Sequence, residues 1–414
     1  MSNPQSAIRN PQSAKSRYVM IGGFLGAGKT TAVAAVAQHF AAQGLRVGLI
    51  TNDQGSELVD TTMLRAKGFA TEEITGGCFC CRFNTLTDAA QKLTDTTRPD
   101  VFIAEPVGSC TDLVATVTYP LRRIYGDAFS IAPLSVLVDP VRAERFLGLA
   151  SGGKFSDKVT YIYRKQLEEA DIIVITKTDV LDAAASEDGR PAGQGSQASC
   201  LTGATPVCRD SRDGCLPIPR LEKLHARLAE EFPYAEILGL SVRTNDGLAP
   251  WFDRLATGEQ SQRATMQVDY DLYAEGEALL GWLNATVQLA APSGFDADAT
   301  LKMIAAGIQH RLVGAEIAHL KMTLSPDSGL GDIAAVNLVR SDFVPELSLT
   351  IEEPVQSGQL IINCRAEAAP EAIRDAVQAT IAALNTSVMS AKLDHLEFFR
   401  PGKPQPTHRD TVTA

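Results

Sequence analysis

The sequence predicts an α/β fold in which a parallel sheet carries helices on both faces and is followed by a smaller α+β domain. Three observations predict it. From Arg17 to about Asp182, short apolar runs alternate with amphipathic stretches, an alternation that implies a parallel sheet covered on both sides. The first run leads through a glycine-rich turn straight into a helical pattern. Beyond residue 262 the texture changes to mostly successive strand patterns with helical ones set apart, the habit of a two-layer α+β domain. At 414 residues the chain exceeds what one hydrophobic core usually organises, so two domains are expected.

Taken in order, residues 1–16 repeat the polar, turn-prone "NPQSA" and lack the apolar stretch of a secretory signal, which predicts a disordered tail. "RYVMIGG", "LRVGLITN", "DVFIAE", "PLSVLVD" and "DIIVITK" read as buried strands: they are short, rich in Val and Ile, and end in small or polar residues. Between the first two, Val33, Val36, Ala37 and Phe40 recur at helical spacing, and Gly44 suits the position just past a helix end. Residues 183–218 are rich in Gly, Ser and Pro without a period and read as a surface insertion. Alternation resumes with "RLEKLHARLAEEF", a sixth strand in "AEILGLS", and "DGLAPWFDRLA", which sets the first domain at 17–258.

In the second domain, 262–398, "MQVDYDLYA", "GWLNATVQLA", "EIAHLKMTL", "IAAVNLVR", "PELSLTIEE" and "QLIINCRAE" read as strands, with helical patterns around 297–315 and 370–385. Residues 399–414 are too rich in proline for regular structure and read as an extended tail. The composition, 45% hydrophobic and 21% charged, is that of an ordinary soluble protein. A formal charge of -11 argues against a nucleic-acid partner, whose phosphates need a positive surface. No apolar segment is long enough to span a membrane. A cytoplasmic location is therefore expected, where clustered cysteines point to metal binding or catalysis rather than disulfides.

"GGFLGAGKTT" joins the first strand to the first helix and matches G-x-x-x-x-G-K-[ST] at Gly23, Gly28, Lys29 and Thr30, with Gly26, Ala27 and Thr31 completing the loop. Glycines let backbone N–H groups curl around phosphates, Lys29 reaches the β and γ oxygens, and the Thr30 hydroxyl ligates Mg²⁺. This predicts a P-loop NTPase sheet. "VITKTD" ends the fifth strand, with Thr176, Lys177 and Asp179 at the carboxyl edge where such folds bind ligands. A carboxylate there accepts from N1–H and N2–H₂ of guanine, a donor pair adenine lacks, so Asp179 favours GTP. "DVFIAEPVG" and "ITNDQG" bring Glu105 and Asp53 to neighbouring strand ends, suited to Mg²⁺ or the attacking water, and Gly108 suits a backbone that swings toward the γ-phosphate. No arginine finger is identifiable, which predicts slow hydrolysis by the chain alone.

Together these stretches resemble the CobW-type GTPases, a family of cobalamin-synthesis proteins, zinc chaperones and nitrile hydratase activators. The resemblance rests on "GGFLGAGKTT", "TNDQG", "GGCFCC", "AEPVG", "VDP" and "QLEEADIIVITKTD", over about 17–182 and 219–258. It implies a Mg²⁺-dependent GTPase that delivers a transition metal or metallocofactor to a client metalloprotein or corrinoid protein. Val107 stands where the family has a small hydroxyl residue and Thr176 where it has Asn. The six histidines are scattered, without the His-rich tract of many zinc chaperones.

In "TGGCFCCRF", Cys78, Cys80 and Cys81 follow two glycines. In an extended loop Cys78 and Cys80 point the same way, and the Gly76–Gly77 hinge turns Cys81 to join them. Three thiolates make most of a tetrahedral site for Zn²⁺, or for Co²⁺ or another soft metal, with one position left for transfer, and Arg82 beside them favours the thiolate form. A redox device and three structural thiols are the alternatives. A thiol scaffold without metal delivery and an ATP-dependent small-molecule kinase are the rival functions. Cys200, Cys208 and Cys215 fit no zinc spacing and read as free thiols, Cys110 and Cys364 read as packed, and Glu316 with His319 reads as the polar side of a strand.

Overall fold

The structure is a computed structural model that describes residues 15–52, 59–126, 128–183, 219–329 and 332–412. The first domain runs β1 (Ser16–Gly23), α1 (Lys29–Ala42), β2 (Val47–Asn52), α2 (Val59–Ala66), β3 (Ala70–Ile74), α3 (Phe83–Thr96) and β4 (Val101–Glu105). A π-helical turn, Val114–Thr118, leads into α4 (Tyr119–Tyr125), β5 (Phe129–Ile131), β6 (Ser135–Val138), α5 (Pro140–Phe146), α6 (Asp157–Glu169), β7 (Ile172–Ile175) and α7 (Asp179–Ala183). The domain closes with α8 (Arg220–Glu231), β8 (Glu236–Gly239) and α9 (Leu248–Thr257). The strands pair in the order β3-β2-β4-β1-β6-β7-β8, with β5 also on β1, and these pairs are parallel. Val19, Ile21, Leu49 and Ile103 are buried on one face with α1, while Met20, Ile50 and Ala104 are buried on the other. That two-sided burial is why these strands read as unbroken apolar runs.

Six strands were expected here, and among the described residues the sheet has eight. β3, "ATEEI", sits at the sheet edge with one neighbour, β2, so it tolerates two glutamates and shows no apolar run. β5 is three residues long, too short for any period. The proposed insertion at 183–218 lies outside the described residues beyond Ala183, up to Pro219, and Cys200, Cys208 and Cys215 lie there too.

The second domain runs α10 (Tyr270–Leu279), β9 (Leu280–Phe295), α11 (Ala297–Arg311), β10 (Glu316–Pro326), β11 (Ala334–Leu338), β12 (Glu346–Leu349), β13 (Val355–Glu367), α12 (Pro370–Ala382) and β14 (Ser390–Phe399). Its antiparallel sheet has the order β12-β11-β10-β13-β9-β14. The stretch read as the strand "MQVDYDLYA" is instead largely α10: the Asp269 carboxylate accepts from the N–H groups of Asp271 and Leu272 and caps the helix, which overrides the alternation. Strand β14 went unread because "SAKLDHLEFF" carries charges on an edge.

Leu283, Leu320, Met322 and Ile362 point from this sheet to a core shared with α11 and α12. The opposite face meets the first domain, where Trp282 and Ala318 join its core and Val59 packs with Ala335 and Ile361. The proline-rich tail carries no regular element from Arg400 to Val412, yet it runs back over the first domain. Arg409 pairs with Asp112 at 2.7 Å and the Asp410 N–H donates to Ala115 O.

Candidate nucleotide and metal site

The turn between β1 and α1 is built on glycines that no other residue replaces without strain. Gly23 has φ +131°, and a Cβ there would lie 2.4 Å from Leu137 O. Gly26 and Gly28 have φ of +82° and +86°, the left-handed region. Gly28 thereby opens α1 with its first N–H groups facing a cavity of about 350 Å³ lined by Gly26, Gly28, Lys29, Thr30 and Thr31. The amino end of a helix, through its dipole, favours an anion there. Thr30 Oγ1 donates to Glu105 Oε1 at 3.0 Å, so the strand-end carboxylate and the P-loop hydroxyl share one spot. Gly108 passes so close that a Cβ on it would meet Leu25 Cδ2 at 2.6 Å and Lys29 Nζ at 2.9 Å. Asp53 lies outside the described residues.

At the other end of the cavity stand Thr176, Lys177 and Asp179. The Thr176 hydroxyl lies 2.9 Å from Ala27 O and 3.0 Å from Val138 O, stitching the end of β7 to the P-loop. Lys177 Nζ donates to Gly26 O and to Asp139 Oδ2. Asp179 opens α7, where Arg243, from the loop after β8, lies 3.4 Å from its Oδ2. Burial would raise the Asp139 carboxyl, but Lys177, Arg340 and Arg142 together hold it well below the usual carboxylate range.

Cys78, Cys80 and Cys81 converge, although not from an extended loop. Gly76 and Gly77 have φ of +72° and +154°, and the chain then closes a turn in which Arg82 N–H donates to Cys78 O at 2.8 Å before α3 begins. Phe79, fully buried, anchors that turn inward. Cys78 Sγ lies 2.8 Å from Cys80 Sγ and 2.9 Å from Cys81 Sγ, and the latter two are 3.8 Å apart. Tetrahedral bonds of about 2.3 Å place sulfurs about 3.8 Å apart. The Cys80–Cys81 edge already fits, and Cys78 must open outward by about 1 Å to admit a metal.

Cys110, read from sequence as packed, is buried in the same core as Cys78 and Cys80. Hydrogen bonds from Cys110, Cys80 and Cys81 hold Cys78 well below the usual thiol range, while sharing with Cys78 pushes Cys81 up to about 11. The cluster thus favours one thiolate among protonated neighbours. Arg82, expected to favour the thiolate, instead donates to Gly76 O at 3.0 Å. The tail covers the outer side: the Gln405 N–H donates to Cys81 Sγ at 3.2 Å and the Thr407 N–H to Cys80 O at 2.8 Å. Cys364 is core, its thiol pushed up to about 12 by burial.

One wall of the nucleotide cavity was not legible in the sequence, because it comes from the second domain: Lys321, Asn337, Val339, Arg340, Phe343 and Glu346. Lys321 Nζ lies 3.3 Å from Thr30 Oγ1. Arg142 clamps the two domains, donating to Leu25 O at 2.9 Å and Val339 O at 2.6 Å, and Arg340 donates to Asp139 Oδ1 at 3.0 Å. A Cβ on Gly26 would lie 2.9 Å from Ala318 O, so the P-loop and β10 are in direct contact. Glu316 is on this interface, 3.9 Å from Arg142. His319 is buried, and desolvation together with Lys321 and Arg365 holds it well below its usual value, so it is neutral.

Residues 17–194 match the family model described as CobW/HypB/UreG, nucleotide-binding domain. The zinc chaperone CobW of Sinorhizobium sp is 28% identical over 281 residues, 61% of this chain and 69% of that protein. The zinc chaperone YjiA of Escherichia coli is 29% identical over 169 residues, 39% of this chain and 49% of that protein. The solved hydrogenase maturation factor HypB of Archaeoglobus fulgidus aligns over 61% of this chain and 93% of its own, with 18% identity and a TM-score of 0.37. Among the described residues no helix is long and apolar enough to cross a membrane. The glycine-built turn and the parallel sheet thus lie within the residues, 17–194, that are similar to the CobW/HypB/UreG nucleotide-binding domain.

Proposed function

We propose that the protein is a Mg²⁺-dependent GTPase that loads a transition metal, Zn²⁺ first among them, at Cys78, Cys80 and Cys81 and yields it to a client metalloprotein or corrinoid protein when GTP is hydrolysed. One observation carries the reading. The loop after β4 runs from Glu105, bonded to Thr30, past Gly108, pressed on Lys29, to Cys110, which is buried in one core with Cys78 and Cys80. Six residues thus join the phosphate end of the cavity to the sulfur cluster. A backbone shift that the γ-phosphate draws from Gly108 must move Cys110 and with it the seat of Cys78. Gln166 holds both ends of that segment, its Nε2 donating to Gly108 O and Cys110 O.

In this reading Gly23, Gly26, Ala27, Gly28 and Thr31 cradle the phosphates and Lys29 neutralises them. Thr30, Glu105 and Asp53 serve Mg²⁺, which when bound would offset phosphate charge, and the attacking water. Lys177 and Thr176 shape the base pocket and Asp179 selects guanine. The donor set suits the metal: three sulfurs within bonding range of one point, one already favouring the thiolate, are soft ligands of the kind Zn²⁺ accepts. The names of the related zinc chaperones support the same cargo.

Because coupling is reciprocal and typically about 1–3 kcal/mol, metal affinity should differ by about fivefold or more between the GTP-analogue and GDP states. Competition titrations with a chromophoric chelator measure it, in wild type and in the Cys78→Ser, Cys80→Ser, Cys81→Ser triple variant. The variant is expected to lose tight binding in both states. Equal wild-type affinities in the two states would refute the coupling, and a wild type that binds no metal would favour a thiol regulator.

A further inference from the structure

Strand β10 alternates in what it faces. Leu320, Met322 and Leu324 enter the second domain's own core, while Lys321 between them turns to the first domain and lines the nucleotide cavity. Its ammonium lies on Thr30 Oγ1, the hydroxyl that also contacts Glu105. Other cations of the cavity wall stand at its base end or beside Asp139. Arg243 lies against Asp179 and Glu346 at the base end, and Lys177 and Arg340 are both held by Asp139. Lys321 is the cation that the second domain brings to the phosphate end, beside Lys29.

Its placement is not that of a loose surface lysine. Register fixes it opposite Asn337 of β11, which lines the same cavity. The strand that carries it is pinned to the P-loop side by Arg142, which reaches Leu25 O, Ile317 O and Val339 O, and by the contact of Ala318 O with Gly26.

We propose that Lys321 is a nucleotide-binding residue, a cation supplied in cis by the second domain that donates to the terminal phosphate of a bound nucleoside triphosphate. The second domain is then part of the nucleotide site. It closes on the triphosphate form and loosens when the terminal phosphate leaves, so the β10–β12 sheet reports the nucleotide state to whatever binds its outer surface. This rests on the nucleotide reading above and adds to it the role of the second domain.

The test is the affinity of the full chain for a non-hydrolysable GTP analogue and for GDP, by fluorescence of labelled nucleotides, in wild type, Lys321→Met and Lys321→Arg. A charge-assisted hydrogen bond lost from the triphosphate alone predicts that Lys321→Met weakens the analogue about tenfold to a hundredfold with GDP within about twofold. Lys321→Arg should restore most of the difference. Amide exchange in β10 and β11 should slow on adding the analogue in wild type but not in Lys321→Met. Equal losses for both nucleotides, or none, would overturn the proposal and leave the nucleotide reading standing. A wild type that binds neither nucleotide would overturn both. Melting curves check the fold of each variant, and should Lys321→Met melt early, Lys321→Gln carries the same comparison.

Discussion

Asp179 and Thr176 divide one task. The Thr176 hydroxyl sits between Ala27 O and Val138 O, buried, so it joins the end of β7 to the P-loop. A side chain with that duty does not need an amide, which explains why Thr serves where relatives of this kind have Asn. In the proposed reading, recognition of the base then falls on Asp179, whose two acceptor oxygens match guanine's N1–H and N2–H₂. Asp179→Asn replaces one acceptor with a donor. GTP should bind at least about tenfold more weakly, at the scale of one or two charged hydrogen bonds, while xanthosine triphosphate, which offers an acceptor at that edge, should gain. Unchanged discrimination in a competition assay would mean that the carboxylate only caps α7 and holds Arg243.

Residues of this kind were readable in sequence because their chemistry is carried by spacing along one loop. Gly23, Gly28, Lys29 and Thr30 lie within eight positions of each other, and the backbone they require follows from them. Cys110 and Lys321 were not readable. The first is 29 positions from Cys81 and the second 291 from Thr30, so only the folded sheet brings them to their partners.

Among the elements, α6 shows what burial does to a carboxyl at a helix end. Its last residue, Glu169, is fully enclosed and accepts from Thr111 Oγ1 at 3.2 Å and from the Val114 N–H at 3.1 Å, where the π-helical turn begins. Burial first, and then the charge of Asp112, push it up to about 8 despite those hydrogen bonds. An acid raised in the folded state costs nothing where both states are protonated, below its unfolded value near 4.5. The cost grows as pH climbs from there toward 8, because the unfolded chain releases the proton that the folded one retains, and stability falls. Glu169→Gln removes that titration and keeps the shape. The melting temperature of the variant relative to wild type should therefore rise between about pH 5 and pH 8. A constant difference across that window would show that Glu169 titrates normally. The same elements mark where the sequence was opaque: α10 follows its Asp269 cap rather than its alternation, and β3 and β14 are edge strands whose exposed sides carry charge.

For the molecule as a whole, the question is how a phosphate is felt at sulfur. The two domains meet across buried charge, with Asp139 between Lys177 of the base motif and Arg340 of the second domain, and Arg142 tied to both the P-loop and β11's end. In the proposed reading, among the described residues, the path from Glu105 to Cys110 links the phosphate end, where Gly108 presses on Lys29, to the buried core that holds Cys78. Gly108 is its narrowest point. It carries no positive φ, so the constraint is space alone: a methyl group there would meet Leu25 and Lys29 Nζ inside van der Waals contact. Gly108→Ala should displace Lys29 or the loop and weaken nucleotide binding by about tenfold, within the range of overpacking costs of about 1–3 kcal/mol. More tellingly, it should shrink the difference in metal affinity between GTP-analogue and GDP states while leaving the GDP-state affinity within about twofold, since the sulfurs themselves are untouched. Titrating metal into both states at saturating nucleotide separates the two effects. If the variant keeps the full difference once nucleotide is saturating, the signal reaches the cluster by another route than this loop.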